Sequence, residues 1–122
     1  MRPDRRQDGD GKFTLWVDGK QVAAMTESEE DDHILIVLEG ELRKDYIWEF
    51  SDEFQALVSV GMNLVLDMNG VSYVSNAGMD DLLSLQIKLD QLKKGSLRLR
   101  RLQDNVRDSF DAVGLSYQLD IE

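Results

Sequence analysis

The sequence contains no cysteine, one proline and one histidine in 122 residues. Without cysteine there is no disulfide, no thiolate nucleophile and no Cys-ligated metal, and a cytoplasmic chain is the simplest expectation. The single histidine, His33, opens an apolar segment with no nucleophile beside it in sequence. A Ser/His/acid arrangement is therefore not expected, and we assign no catalytic residue and no metal ligand. The phosphate-cradling patterns GxxxxGK followed by Ser or Thr, and GxGxxG, are also absent, and no cofactor is expected. The longest apolar runs, such as Ile34 to Leu38 and Met62 to Leu66, fall far short of the roughly 20 residues a membrane span needs, so no membrane insertion is expected. Residues 1–12 have basic residues but no apolar stretch behind them, so they do not read as a secretory signal, and without periodicity they read as a flexible tail. Asp8-Gly9-Asp10-Gly11 resembles the start of a calcium loop, but Lys12 stands where a third oxygen ligand is needed and Gly19 where the closing glutamate belongs.

Acid is what the chain has in excess: 24 Asp and Glu against 14 Lys and Arg, for a net charge of −10. With 42% hydrophobic residues this is the composition of a folded protein, and the length suits one domain over residues 13–122. The charge is uneven. Residues 88–107 hold seven bases against Asp90 and Asp104, a net +5 that leaves −15 for the rest. Such an acidic surface repels phosphates, so no nucleic-acid partner is expected.

Two apolar segments, Phe13 to Val17 and Gln21 to Met25, flank Asp18-Gly19, the signal for a type I′ hairpin. Residues 27–32 carry five acids and read as a solvated turn, and His33 to Leu38 reads as a strand buried on both faces. Ile47, Phe50, Phe54, Leu57 and Val58 then recur at helical spacing, with Trp48 off that face. Asn63 to Asp67 predicts a strand, Met68-Asn69-Gly70 a turn, and Ala77 to Lys94 a long helix capped by Ser75 or Asn76 and ended by Gly95. Asp80 and Asp81 are expected in its first turn. Leu97 to Arg100 alternates like a strand with one wet face, Asp104 caps a helix carrying Val106, Phe110 and Val113, and Leu115 to Ile121 predicts a final strand. Strands alternating with helices imply parallel pairing.

The segment from Asp67 to Met79 resembles the signature loop of the STAS domain, shared by bacterial anti-sigma factor antagonists and sulphate transporters. The family pattern is approximately D-L-(x)-G-V-x-F-I-D-S-S-G-L, and Gly70, Val71, Tyr73, Val74, Gly78 and Met79 fall in register with it. Gly40-Glu41-Leu42 and Val106 to Leu115 match further pieces, so the resemblance covers about residues 21–121. It implies an α/β fold with a mixed, mostly parallel sheet, helices packed on it and here an extra N-terminal β-hairpin. It also implies a non-enzymatic regulator whose partner is an anti-sigma factor or regulatory serine kinase. In the family, that kinase phosphorylates the first serine of D-S-S-G and so ends binding. Here Asn76 occupies that position, Ser75 precedes it and Ala77 follows it. The serine switch is expected to be absent, or moved to Ser75. The plain alternative is that Asn76 is only a helix cap.

On the long helix, Met79, Leu82, Leu85, Leu89 and Leu92 form one stripe expected in the core. Leu83 and Ile87 lie off it, beside Asp80, and with Trp48 and the loop Ser75, Asn76, Ala77, Gly78, Met79 they are the expected partner-binding surface, unless a neighbouring helix covers them. Arg101 with Arg107 at the ends of the strands reads as an anion-binding pair or as a solvated edge. The hairpin of residues 13–25 is expected to cover a sheet edge or to serve a homodimer. An accessory scaffold subunit of a transport complex or stress-sensing assembly is the second functional expectation.

Overall fold

The parallel half of the sheet sets the architecture. The computed structural model describes residues 3–9, 11–93 and 95–122. Strands β1 (Asp4–Gln7), β2 (Lys12–Val17), β3 (Lys20–Glu29) and β4 (His33–Leu42) are joined by short turns and pair antiparallel. From β4 onward, β5 (Asn63–Val74), β6 (Leu97–Arg100) and β7 (Asp120–Ile121) pair parallel, and the spatial order of all seven strands is their sequence order. A tight turn cannot join parallel strands, so helices α1 (Ile47–Val58), α2 (Asn76–Leu92) and α3 (Asp104–Ala112) carry the three crossovers. Every crossover steps the same way along the sheet, and right-handed connections therefore place all three helices on one face.

The strand side chains record that one-sidedness. Ile34, Ile36 and Leu38 of β4, Leu64 and Leu66 of β5, and Leu97 and Leu99 of β6 are buried under the helices. Their neighbours Leu35, Val37 and Val65 are only half-buried and Arg98 is exposed. The apolar run His33 to Leu38 is thus not buried on both faces, as its sequence suggests, because no element among the described residues crosses the second face. Phe50 and Phe54 of α1, Leu82, Leu85 and Leu89 of α2 and Phe110 of α3 complete the core, each such side chain contributing about 1.5–3 kcal/mol. The Phe13 and Phe50 rings, 5.7 Å apart, join β2 to α1.

The Asp18-Gly19 turn forms as expected, with φ of 51° and 77°, the positive pair that a type I′ turn requires. Other expectations need correction. Residues 4–7 are a strand, not part of a tail, although all four are exposed. Arg5 holds them down: its Nη1 donates to Glu49 Oε2 at 3.1 Å, its other terminal nitrogen donates to Glu53, and its guanidinium lies 4.1 Å from the centre of the Phe13 ring. Charge and cation–π contact replace apolar burial there, which is why hydrophobic periodicity gave no sign of the strand. Residues 1, 2 and 10 of the expected tail lie outside the described residues. β3 runs on through Glu29, so the acidic turn shrinks to residues 30–32. β5 is continuous through 68–70, with Met68 fully buried, because irregularities in its pairing with β4 absorb Asn69-Gly70. Residues 115–117 form a 3₁₀ turn that leaves only Asp120–Ile121 as strand. Gln103 rather than Asp104 occupies the N-cap position of α3, without a side-chain capping hydrogen bond, and Asp104 is the first residue of the helix. Helix α2 ends at Leu92 with Lys93 left-handed (φ 53°), and Lys94 lies outside the described residues. Leu92, expected in the core, is 48% exposed, and Val113, read as part of the last helix, follows its final turn and is 54% exposed.

Candidate functional site

The switch-loop segment starts where β4 and β5 end side by side. Ser75 N–H donates to Leu42 O at 2.9 Å, Ser75 Oγ accepts from Gly78 N–H at 3.1 Å, and Met79 N–H donates to Ser75 O at 2.9 Å. Ser75 is therefore the N-cap of α2, and its side chain is buried. Gly78 packs where a Cβ would stand 3.1 Å from Leu42 O and 3.0 Å from a Val74 methyl, so the first turn sits tightly on the sheet. Asn76 and Asp80 are exposed and Ala77 is half-buried. Asp80 and Asp81 fall just beyond the first turn rather than in it.

Side chains of α1 and α3 flank this loop. Ser51 donates to Asp81 and Lys88 donates to Gln55, bonds that align α1 with α2. Trp48, one turn before Ser51 on α1, is 38% exposed. On the other side, Asn76, Met79, Asp80 and Leu83 form one wall of a groove of about 290 Å³ whose opposite wall is Val113, Leu115 and Gln118. Leu83 is half-buried in it, and Ile87, four residues on, is exposed. The structure thus brings Asn76, Asp80 and Leu83 together in one groove, with Ile87 one turn further along α2, whereas Trp48 lies on α1, outside that groove. The far wall was missed because Val113 falls at apolar spacing after Val106 and Phe110 yet lies beyond the last turn of α3.

Beside the loop, Arg43 lies 5.7 Å from the Tyr73 ring centre. Tyr46 donates its hydroxyl to Glu41 O at 2.7 Å, and burial, with the Glu41 charge adding to it, pushes the phenol up to about 12. Arg101 and Arg107 do not share a partner. Arg101 Nε lies 3.6 Å from the buried Asp67 carboxylate on the helix-free face, whereas Arg107 donates to Glu122 O at 2.8 Å. Asp67 also draws Arg100, at 3.8 Å, so its charge is shared between two guanidinium groups. His33 Nδ1 lies 2.7 Å from Asp32 Oδ1, an interaction that lowers the Asp32 pKa. Among the described residues no group of three or more His, Cys, Asp or Glu is arranged to hold a metal.

The family model described as "Mlab, STAS domain" matches residues 25–119. The chain belongs to the STAS family. The match begins inside β3, so β1, β2 and the first part of β3 lie outside it. The STAS fold agrees with solved structures. An anti-sigma factor antagonist from Mycobacterium paratuberculosis superposes with a TM-score of 0.74 at 17% identity, over 81% of this chain and 84% of that one. A putative anti-sigma factor antagonist from Thermotoga maritima gives 0.73 at 15% identity, over 80% and 84%. The murine Solute Carrier 26 family member A9 anion transporter gives 0.58 at 20% identity, over 70% of this chain and 14% of the transporter. No curated protein matches the sequence. No helix among the described residues is long and apolar enough to cross a membrane.

Proposed function

We propose that this STAS domain is a non-enzymatic regulator that captures an anti-sigma factor or a related regulatory serine kinase through residues 75–79, α2 and Trp48, without a serine phosphoswitch. The observation that carries this reading is the division of labour between Ser75 and Asn76. Ser75 Oγ is buried and occupied by the Gly78 amide, while the exposed position beside it offers an amide that no kinase can phosphorylate. Phosphorylation of Ser75 would require its buried hydroxyl to leave the Gly78 amide and swing out of the cap, so the fold withholds it from a kinase. Binding is therefore constitutive. Purification of the native protein, followed by incubation of the complex with ATP, tests this. An associated kinase-type regulator that stays bound after ATP is the expected result, and stoichiometric phosphate on Ser75 with release of the partner overturns it.

The likeness to an anion transporter supports a second reading, a scaffold subunit of a transport complex. Permease or transport ATPase subunits in the same purification would favour that reading over the first.

A further inference from the structure

The groove between α2 and the end of α3 carries more information than its position beside the loop. Met79, Leu83 and Ile87 follow one another at i, i+4 and i+8, an apolar line that spans about 12 Å of α2. Val113 and Leu115 face Met79 and Leu83 across the groove. The polar groups at the margins are acidic or neutral. Asp80 lies on the near wall with Asn76, and Gln118 on the far one; none of the described lining residues is basic.

We infer that this groove takes a basic amphipathic helix of a protein partner, with aliphatic side chains against Leu83 and Val113 and with Lys or Arg reaching Asp80. The inference rests on the proposed function and names the partner's chemistry. An apolar trough on a chain of net charge −10 selects a segment of opposite sign, since complementary charge speeds encounter and rejects acidic competitors. A second copy of this chain is a poor occupant. It brings the same net charge, and its one positive stretch, residues 88–107, is split among a helix end, a strand and a helix start.

The test uses the full chain, labelled with ¹⁵N, and a synthetic Leu/Lys amphipathic peptide about 18 residues long, with its Leu/Glu counterpart as control. Saturable shifts confined to Met79, Leu83, Ile87, Val113 and Leu115, with the Lys peptide alone, are expected. Val113→Arg, at an exposed position that spares the fold, should weaken binding by about tenfold or more, whereas Glu30→Gln, with the same charge change elsewhere, should leave it unaltered. Shifts scattered over the acidic surface, equal binding of the Glu peptide, or no effect of Val113→Arg would overturn the inference. So would sedimentation showing a dimer that Val113→Arg dissociates, because the groove would then be filled by a second copy. A regulator that copurifies equally well with Val113→Arg would remove the groove and leave the proposed function standing. Groove binding without any copurifying regulator would do the reverse.

Discussion

The two halves of the sheet share β4 but are joined differently. In the antiparallel half, β1 to β4, each connection reverses the chain within a few residues and exposes little besides the turn. In the parallel half each connection must return along the sheet, so each ends a strand at one edge and starts a helix there. That edge is where the Ser75 cap, Asn76 and the groove are found, and of the antiparallel half only the end of β4, through Leu42, touches them. The proposed site is built by the crossovers, while the antiparallel strands extend the sheet and are fastened to the helical layer by Arg5 and Phe13.

The largest expected effect comes from breaking the seam. Gly40 has φ 91° and lies so close to β3 that a Cβ would stand 2.2 Å from Val22 O. Gly40→Val should destabilise the domain by more than about 4 kcal/mol, read as loss of the cooperative unfolding transition or of soluble protein. Arg5→Ala comes next. It leaves the buried Glu49 carboxylate without its cation, and because Arg5 is itself partly in water we expect a loss of about 1–2 kcal/mol in urea unfolding. Hydrogen exchange in β1 should rise while the amides of α2 stay protected.

Ser75→Ala removes the cap and should cost about 1 kcal/mol, whereas Asn76→Ala should alter partner affinity with little change in melting temperature. If the two variants behave alike, the separation of structural from binding residue fails. The smallest effect is a pH dependence in the antiparallel half. Burial, then the nearby Glu53, pushes the Glu27 carboxyl above its ordinary 4.5, with Arg5 opposing. A carboxyl raised in the folded state costs stability once the pH exceeds its ordinary range, and that cost fades as the pH falls through the folded value. Glu27→Gln should therefore raise the melting temperature at neutral pH, and the gain should vanish near about pH 4, as paired thermal scans would show.

Most of the helical layer was legible in the sequence because apolar residues at spacings of three and four could only serve a buried face, as Phe50, Phe54, Leu82, Leu85 and Leu89 do. The Asp18-Gly19 turn was legible for the same kind of reason, since few residue pairs accept two positive φ angles. What escaped depended on partners distant in sequence. Arg5 finds Glu49 more than forty residues away, and Asn69-Gly70 reads as a turn until β4 supplies the irregular pairing that keeps β5 straight. At the site, the loop and the outer residues of α2 could be read from local pattern. The far wall of the groove could not, because Val113 obeys the helical period of α3 and departs from it only where the helix stops.

Strand order that equals sequence order has a consequence for how this chain reaches its shape. Each strand added during synthesis finds its neighbour already in place, so no completed pair has to part to admit a later strand, and most closures join segments near in sequence. The ion pairs of Arg5 are an exception, since they wait for α1. An assembling sheet should therefore acquire its first strand's fastening after β4, and the edge that β1 occupies is the last part of the antiparallel half to be secured.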